Sequence, residues 1–351
     1  MTSFTSNSNG HDGLSRKTKS KGKKTLLRSS IGLSGFIVLL ILAEVFIFRN
    51  LAFYGKSPGF IGQIAEMDAS FQAENAEQIQ VGIFGDSLGM DALRPDVMAS
   101  ASGMQEGSIY NFSLSGGSAY DIAQIYKQYE DELPNMKQAI VVINEHQFNN
   151  AEAAEDIKFK YFAGISDRLK VMNSDNYGDL LLGWMLKSYD MRTIWTMMWD
   201  KYRKGELRDE VPIHNGGLAP VEWSPPKDRE PAYAKEVADR WFENYDLEGV
   251  RTEAFERMLA DMQQRGIEIV LVQLPRSEHF EKESSSIYMK EQNMYLDLMQ
   301  ELADQYGAVL DVLPKDLLTF PDHFRDVNHV NPAGAEIVSN YVSAKWLIPQ
   351  D

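Results

Sequence analysis

The sequence contains no cysteine among its 351 residues. This absence excludes disulfide bonds and thiolate metal sites, although it does not decide the compartment in which the protein works. The sequence also lacks a glycine-rich loop followed by Lys and Ser or Thr, so it predicts no phosphate-binding loop. No repeat of fixed period occurs, which excludes the solenoid and propeller classes.

Positive charge is scarce outside the N-terminus. Residues 1–30 carry seven Lys or Arg against Asp12, a net charge of +6, which leaves −22 for the remainder of a chain whose formal net charge is −16. Nucleic-acid binding needs a basic face, so an acidic body argues against a nucleic-acid partner. Residues 1–30 are rich in Ser, Lys, Gly and Asn and are predicted to be a disordered basic tail.

One long apolar run spans residues 31–48. As a helix it would extend about 27 Å, close to the thickness of the hydrocarbon layer of a bilayer. We interpret it as an uncleaved single-pass transmembrane anchor, with the basic tail in the cytoplasm and the acidic body outside it. The alternatives are a cleaved signal peptide, for which no convincing cleavage site follows, and a buried core helix.

The remaining chain is predicted to be one α/β domain. Residues 49–77 read as a stalk or linker, and residues 78–351 alternate strand and helix patterns, which indicates a parallel sheet covered by helices on both faces. An insertion rich in aromatic residues, at about 149–249, is predicted to be mainly helical. Its aromatic side chains could form a small core, a lid, or a surface for carbohydrate or membrane. The predicted strands are Gln78–Phe84, Ser108–Phe112, Ala139–Asn144, Ile267–Leu274 and Ala308–Val312.

A serine follows the first predicted strand in the sequence Gly85-Asp86-Ser87-Leu88. The carboxyl ends of parallel strands are where open α/β sheets place their ligands and chemistry, so this serine is a candidate nucleophile. Asp and Ser are also common helix N-caps, and a plain capping turn is the alternative.

A candidate base lies near the C-terminus. Asp326 and His329 are separated by two residues in the loop before Pro332, so the carboxylate can hold one ring nitrogen while the other faces a serine. A zinc site is the alternative, since His323 and Asp322 lie nearby, but the spacing matches no common helical ligand pair.

Two further segments end predicted strands. Asn111 to Ser118 contains a Gly pair at Gly116 that lets backbone N–H groups turn toward a neighbouring site. Asn144 closes the third strand and is either a turn former or a donor directed into the cleft.

Taken in this order, these segments resemble the SGNH hydrolase superfamily, also called GDSL esterases. The resemblance implies a flavodoxin-like three-layer sandwich with a five-stranded parallel sheet, in an SGNH hydrolase-like domain over 78–351. It implies that Ser87 is the nucleophile, His329 the base and Asp326 its orienting group. It also implies an oxyanion hole formed by the N–H groups of Ser87 and Gly116 and the side chain of Asn144. No cofactor and no metal are implied.

The layout is similar to membrane-anchored SGNH proteins that O-acylate cell-surface polymers, of the DltD-like and alginate or cellulose acetylation types. This resemblance implies a serine esterase or acyltransferase that acts on acyl esters, in particular acetyl esters, of a cell-envelope glycan. It implies a membrane-bound O-acyltransferase as partner. Arg276, just after the fourth strand, is a candidate for gripping substrate. The alternative function is a non-catalytic binding or scaffold partner of such an acyltransferase.

Overall fold

The computed structural model describes residues 32–57, 59–151, 153–220 and 230–347. The chain divides into two units, Met1–Asn50 and Leu51–Asp351. The predicted basic tail and the first residue of the predicted anchor lie outside the described residues. In the first unit, residues 32–43 are helical and continue into a π-helical turn, Glu44–Phe48. Within the described ranges, no helix is both long enough and apolar enough to cross a membrane.

The second unit is built on a five-stranded sheet in which every pair of neighbouring strands is parallel. Its strand order, β2-β1-β3-β4-β5, is the flavodoxin-like order and confirms the predicted α/β sheet. Each strand overlaps one of the five strands predicted from the sequence. The strands are β1 (Val81–Phe84), β2 (Ile109–Asn111), β3 (Gln138–Ile143), β4 (Glu268–Gln273) and β5 (Val309–Val312).

Helices connect the strands and cover both faces of the sheet. The helices of this unit are α1 (Leu51–Tyr54), α2 (Phe60–Ala73), α3 (Ser87–Ala92), α4 (Pro95–Ser102), α5 (Ala119–Tyr129), α6 (Glu145–Phe148), α7 (Ile157–Phe162), α8 (Ile165–Val171), α9 (Tyr177–Met185), α10 (Lys187–Asp190), α11 (Arg192–Lys204), α12 (Glu230–Phe242), α13 (Val250–Gln264), α14 (Glu278–Ile287), α15 (Met289–Tyr306) and α16 (Pro332–Trp346). Two 3₁₀ turns, Ala76–Gln78 and Lys315–Leu317, are also present.

The sheet separates two apolar cores. Side chains alternate across a strand, so Val141 and Ile143 of β3 enter one core while Ile140 and Val142 enter the other. All four are fully buried. Burial of each such side chain is worth about 1.5–3 kcal/mol, which explains why a strand with two buried faces reads as a continuous apolar run.

The stretch 49–77 differs from the predicted stalk. It contains α2, whose Ile64, Met67 and Phe71 are buried in the same core as Tyr110 and Tyr129. The apolar residues recur at helical spacing on one face, and that face packs on the body of the unit. The helix is therefore part of the folded body.

The insertion between β3 and β4 is helical over most of its described length, from α7 to α12. Its aromatic residues divide into three sets. Phe159 of α7 is buried in the core of the sheet's first face. Trp241 and Phe242 of α12 are buried in the core of the sheet's second face. Trp199 and Tyr202 of α11 stack on each other and are more than half exposed. The insertion therefore contributes to both cores and to an exposed aromatic surface.

Candidate active site

The turn after β1 presents Ser87. Asp86 caps α3 by accepting a hydrogen bond from the N–H of Leu88 on Oδ1, at 2.9 Å. Glycine is favoured at position 85 because an added Cβ would lie only 3.0 Å from Cβ of Val142 on the neighbouring strand. Ser87 is the first residue of α3, and the N–H groups of a first helical turn have no intrahelical acceptor. Its N–H can therefore be offered to an anion at the sheet edge.

The structure brings Ser87 and His329 into contact although 242 positions separate them. Oγ of Ser87 lies 2.8 Å from Nε2 of His329. Nδ1 of the same ring lies 2.9 Å from Oδ2 of Asp326. A carboxylate accepts, so Nδ1 carries the ring proton and Nε2 accepts from the serine hydroxyl. This arrangement is the hydroxyl, imidazole and carboxylate series that a serine nucleophile needs.

Asp326 is held as a carboxylate. Its Oδ1 also accepts hydrogen bonds from the N–H groups of Asn328, at 3.0 Å, and His329, at 2.8 Å. Burial by itself would raise the pKa of Asp326, but the hydrogen bonds from the His329 ring and from the two N–H groups outweigh it and lower the pKa below its ordinary value. The group that orients the imidazole is therefore charged at neutral pH.

The loop that carries His329 is tied to the helix that carries the serine. Arg325 forms a 2.6 Å ion pair with Asp91 of α3, and both side chains are largely buried. On the other side of the histidine, Asn331 caps α16 by accepting from the N–H of Gly334, at 3.0 Å. These two contacts flank His329 and limit how far the loop can move.

The glycine-rich segment, Asn111 to Ser118, lies beside the turn that carries Ser87. The N–H of Leu114 donates to the carbonyl of Gly85 at 3.1 Å. Gly116 has a φ of +66°, a conformation that favours glycine, and its N–H makes no hydrogen bond to any described residue. Its carbonyl accepts a hydrogen bond from Nζ of Lys158 in α7. Lys158 thus anchors the segment from the insertion.

Asn144 lies at the carboxyl end of β3 and is buried. Its Nδ2 donates to Oδ2 of Asp86 at 2.7 Å, and its Oδ1 lies 2.8 Å from Nδ1 of His146. One of its two amide hydrogens is therefore used by the residue next to Ser87. The second hydrogen is the one that an oxyanion role would use.

The structure does not give Arg276 the open position that a substrate-gripping role would need. The guanidinium is buried. Its Nη1 lies within 2.7 Å of both carboxylate oxygens of Glu145, and its Nε lies 2.6 Å from Oε1 of Glu281. The pKa of Arg276 is affected first by burial, which lowers it, and the two carboxylates outweigh that effect and raise it. Arg276 is thus engaged inside the protein, and its predicted contact with substrate is not favoured by this geometry.

Three site residues were missed from the sequence. His146 and Lys158 lie beside the predicted groups, and Trp241 of α12 stacks on the ring of His146, with centroids 5.4 Å apart. A histidine two positions after Asn144 was a usable signal for the first. Lys158 and Trp241 come from the insertion, and no local pattern connects them to the site.

The alternative of a zinc site receives no geometric support. In the part of the chain that the structure describes, no group of three His, Asp or Glu side chains is arranged to hold a metal ion. Nδ1 of His323 instead accepts a hydrogen bond from the N–H of Thr319, at 2.9 Å.

Comparison with known proteins gives little beyond this geometry. No family model matches the chain, and no curated protein matches it. Among solved structures, it is similar to a protein from Parabacteroides merdae ATCC 43184 assigned as a GDSL-like lipase. That similarity covers 77% of this chain and 97% of the other, at 10% sequence identity and a TM-score of 0.35. Likeness at this level assigns no activity to the chain.

Proposed function

We propose that the protein is a serine esterase or O-acyltransferase. The observation that carries the proposal is the continuous contact from Oγ of Ser87 through the ring of His329 to the carboxylate of Asp326. A serine nucleophile is activated by an adjacent base that a third group orients, and these three side chains have that arrangement. The turn that carries Ser87 directly follows β1, and the loop that carries Asp326 and His329 reaches it there, which supports the proposal.

The proposed reaction has two halves. Ser87 attacks the carbonyl carbon of an acyl ester while Nε2 of His329 takes the hydroxyl proton, and His329 then gives that proton to the leaving alcohol. The tetrahedral oxyanion is held by the N–H groups of Ser87 and Gly116 together with the second amide hydrogen of Asn144. The acyl group on the serine next passes to water or to a sugar hydroxyl, and the chemistry of the first half is the same for both.

The proposed substrate is an acyl ester, in particular an acetyl ester, of a cell-surface glycan. The proposal includes membrane attachment through residues 31–48, with the body outside the cytoplasm and a membrane-bound O-acyltransferase as partner. Exposed apolar side chains on this segment, among them Phe36, Leu39 and Phe46, support attachment, as does the basic tail before it. The full-length chain should sediment with membranes after alkaline extraction. A chain from which residues 31–48 are deleted should not. A chain that stays in the alkaline supernatant at full length would contradict attachment.

The activity is tested by labelling with a fluorophosphonate probe. The folded full-length chain should be labelled at Ser87, and Ser87→Ala should abolish the labelling. Ser115→Ala is the matched control, because it removes a hydroxyl from the neighbouring glycine-rich segment and should leave labelling intact. Labelling that persists in Ser87→Ala would remove Ser87 from the mechanism. Absence of labelling in the wild type, together with absence of aryl acetate hydrolysis, would favour a non-catalytic protein.

A further inference from the structure

His146 is a second imidazole beside the candidate site, on α6. Its Nδ1 lies 2.8 Å from Oδ1 of Asn144, and its ring stacks on Trp241 with an interplanar angle of 26°. The two contacts fix the position and the rotation of the ring. The mechanism described above gives His146 no role.

The hydrogen bonds around His146 determine which ring nitrogen carries the proton. Oδ1 of Asp86 accepts from the N–H of Leu88 and Oδ2 accepts from Asn144, so the asparagine must present its NH₂ group to Asp86. Its carbonyl oxygen therefore faces His146, and Nδ1 of the histidine must be the donor. Nε2 is left with a free lone pair, and it makes no hydrogen bond to any described residue.

His146 is neutral and close to the nucleophile. Burial, followed by the positive charges of Lys158 and Arg251, holds the pKa of His146 well below its ordinary value. Nδ1 lies 3.5 Å from Oδ2 of Asp86, the residue that precedes Ser87 in the chain, and the imidazole side chain is 28% exposed. The imidazole is therefore partly open to a ligand beside the turn that carries Ser87.

We propose that Nε2 of His146 accepts a hydrogen bond from a second hydroxyl of the acyl acceptor, one carbon away from the hydroxyl that attacks. This proposal rests on the proposed function and names the acceptor class as a vicinal diol, the arrangement found in sugars. A single hydroxyl cannot serve both imidazoles, because its one proton goes to His329 as it attacks. His146 is a binding residue in this scheme and moves no proton.

The transfer step balances without a further reactant. The acceptor oxygen bonds to the acyl carbon, and its proton passes to Nε2 of His329. The bond from the acyl carbon to Oγ of Ser87 then breaks, and the same proton returns to the serine. Throughout, His146 holds the neighbouring hydroxyl and so fixes the angle at which the acceptor approaches.

Competition between two small acceptors tests the proposal on the full-length chain. With an aryl acetate as donor, the acetylated products of 1,2-propanediol and 1-propanol are measured against hydrolysis in the same reaction. The wild type should favour the diol by about tenfold, the order of effect of one hydrogen bond in a cleft. His146→Asn keeps a donor near the position of Nδ1 and deletes the acceptor at Nε2, so its preference should fall to within about twofold.

Two variants control for structural damage. His146→Gln places a carbonyl oxygen near the position of Nε2 and should keep part of the preference, and His279→Gln, on α14, should keep all of it. An equal preference for both alcohols in the wild type, or an unchanged preference in His146→Asn, would overturn the proposal. A wild type that neither labels nor hydrolyses the donor would instead count against the proposed function.

A binding measurement tests the proposed role of His146 even when no turnover is seen. In Ser87→Ala, ¹⁵N spectra of the imidazole should show the proton on Nδ1 and none on Nε2 of His146. Addition of 1,2-propanediol should shift the Nε2 signal, whereas 1-propanol at the same concentration should shift it less. A proton found on Nε2, or an Nε2 signal that does not shift when the diol is added, would overturn the proposal independently of activity.

Discussion

Replacement of Asp326 by Asn tests the orientation of His329 with almost no change in side-chain shape. The carboxylate accepts the two backbone N–H groups on Oδ1, and Nδ1 of the His329 ring lies 3.0 Å from Oδ1 and 2.9 Å from Oδ2. An asparagine can satisfy the backbone groups only with its carbonyl oxygen at the position of Oδ1. Its NH₂ group then faces Nδ1 of His329 at the 2.9 Å contact, where two donors cannot share a hydrogen bond. The other oxygen within reach of Nδ1, at 3.0 Å, already accepts two backbone N–H groups, so the NH₂ group is better satisfied by donating to an unprotonated Nδ1.

The ring responds by moving its proton to Nε2, the nitrogen that lies 2.8 Å from Oγ of Ser87. That nitrogen can no longer accept the serine proton. Loss of the base by this route lowers kcat about 10⁴-fold in serine enzymes, which corresponds to about 5.4 kcal/mol of transition-state stabilisation. We expect a loss of that size in Asp326→Asn, with little change in the free energy of unfolding.

Aryl acetate hydrolysis with active-site titration measures kcat per folded site. Asp322→Asn is the matched control, because it makes the same chemical change at an exposed position of the same loop. A loss smaller than about tenfold in Asp326→Asn would refute the reasoning, since it would mean that His329 keeps its working tautomer without the carboxylate.

Three further outcomes are expected. Arg276→Met should lower the free energy of unfolding by about 3–5 kcal/mol by leaving Glu145 buried without its cation; chemical denaturation measures it, and the double variant with Glu145→Leu should recover most of the loss. Lys158→Met should lower kcat by roughly 10- to 100-fold with KM nearly unchanged, because it releases the glycine-rich segment that offers an oxyanion donor; steady-state kinetics with an aryl acetate would contradict this if only KM changed. The pKa of Asp326 is lowered in the folded protein, so its ionisation stabilises the fold above about pH 4, and the stabilisation is lost as the pH falls through the lowered pKa. In urea denaturation between about pH 2.5 and pH 5, the free energy of unfolding should therefore fall less steeply with decreasing pH in Asp326→Asn than in the wild type. An unchanged slope would contradict a lowered pKa of Asp326 in the folded protein.

The sheet could be predicted from the sequence because β1 to β4 are buried on both faces along almost their whole length. Ile140 and Val142 enter one core and Val141 and Ile143 the other, so the run carries no alternation and reads as a central parallel strand. The position of Ser87 could also be predicted, from the rule that the carboxyl ends of parallel strands share one edge. Its pairing with His329 followed instead from the spacing of Asp326 and His329 and from the resemblance, and the two side chains meet at 2.8 Å.

Partners of buried charges could not be predicted in the same way. Arg276 follows β4 in a position typical of a substrate contact, and only the fold reveals that Glu145 lies opposite it. Neither residue belongs to a pattern of fixed spacing, because their meeting depends on how β3 and β4 pair. The network around Asn144 was hidden for the same reason, since Trp241 reaches it from the far end of the insertion.

The distance in sequence between Ser87 and His329 affects when the two residues can meet during synthesis of the chain. During synthesis Ser87 is made early, and His329 follows 242 residues later, together with the loop that Arg325 ties to α3. Until that last segment has been made and has packed, the serine hydroxyl has no partner to accept its proton. On the proposed function, nascent chains and chains that lack the C-terminal segment should therefore not react with esters, and reactivity should begin only when the loop that carries His329 has packed on α3.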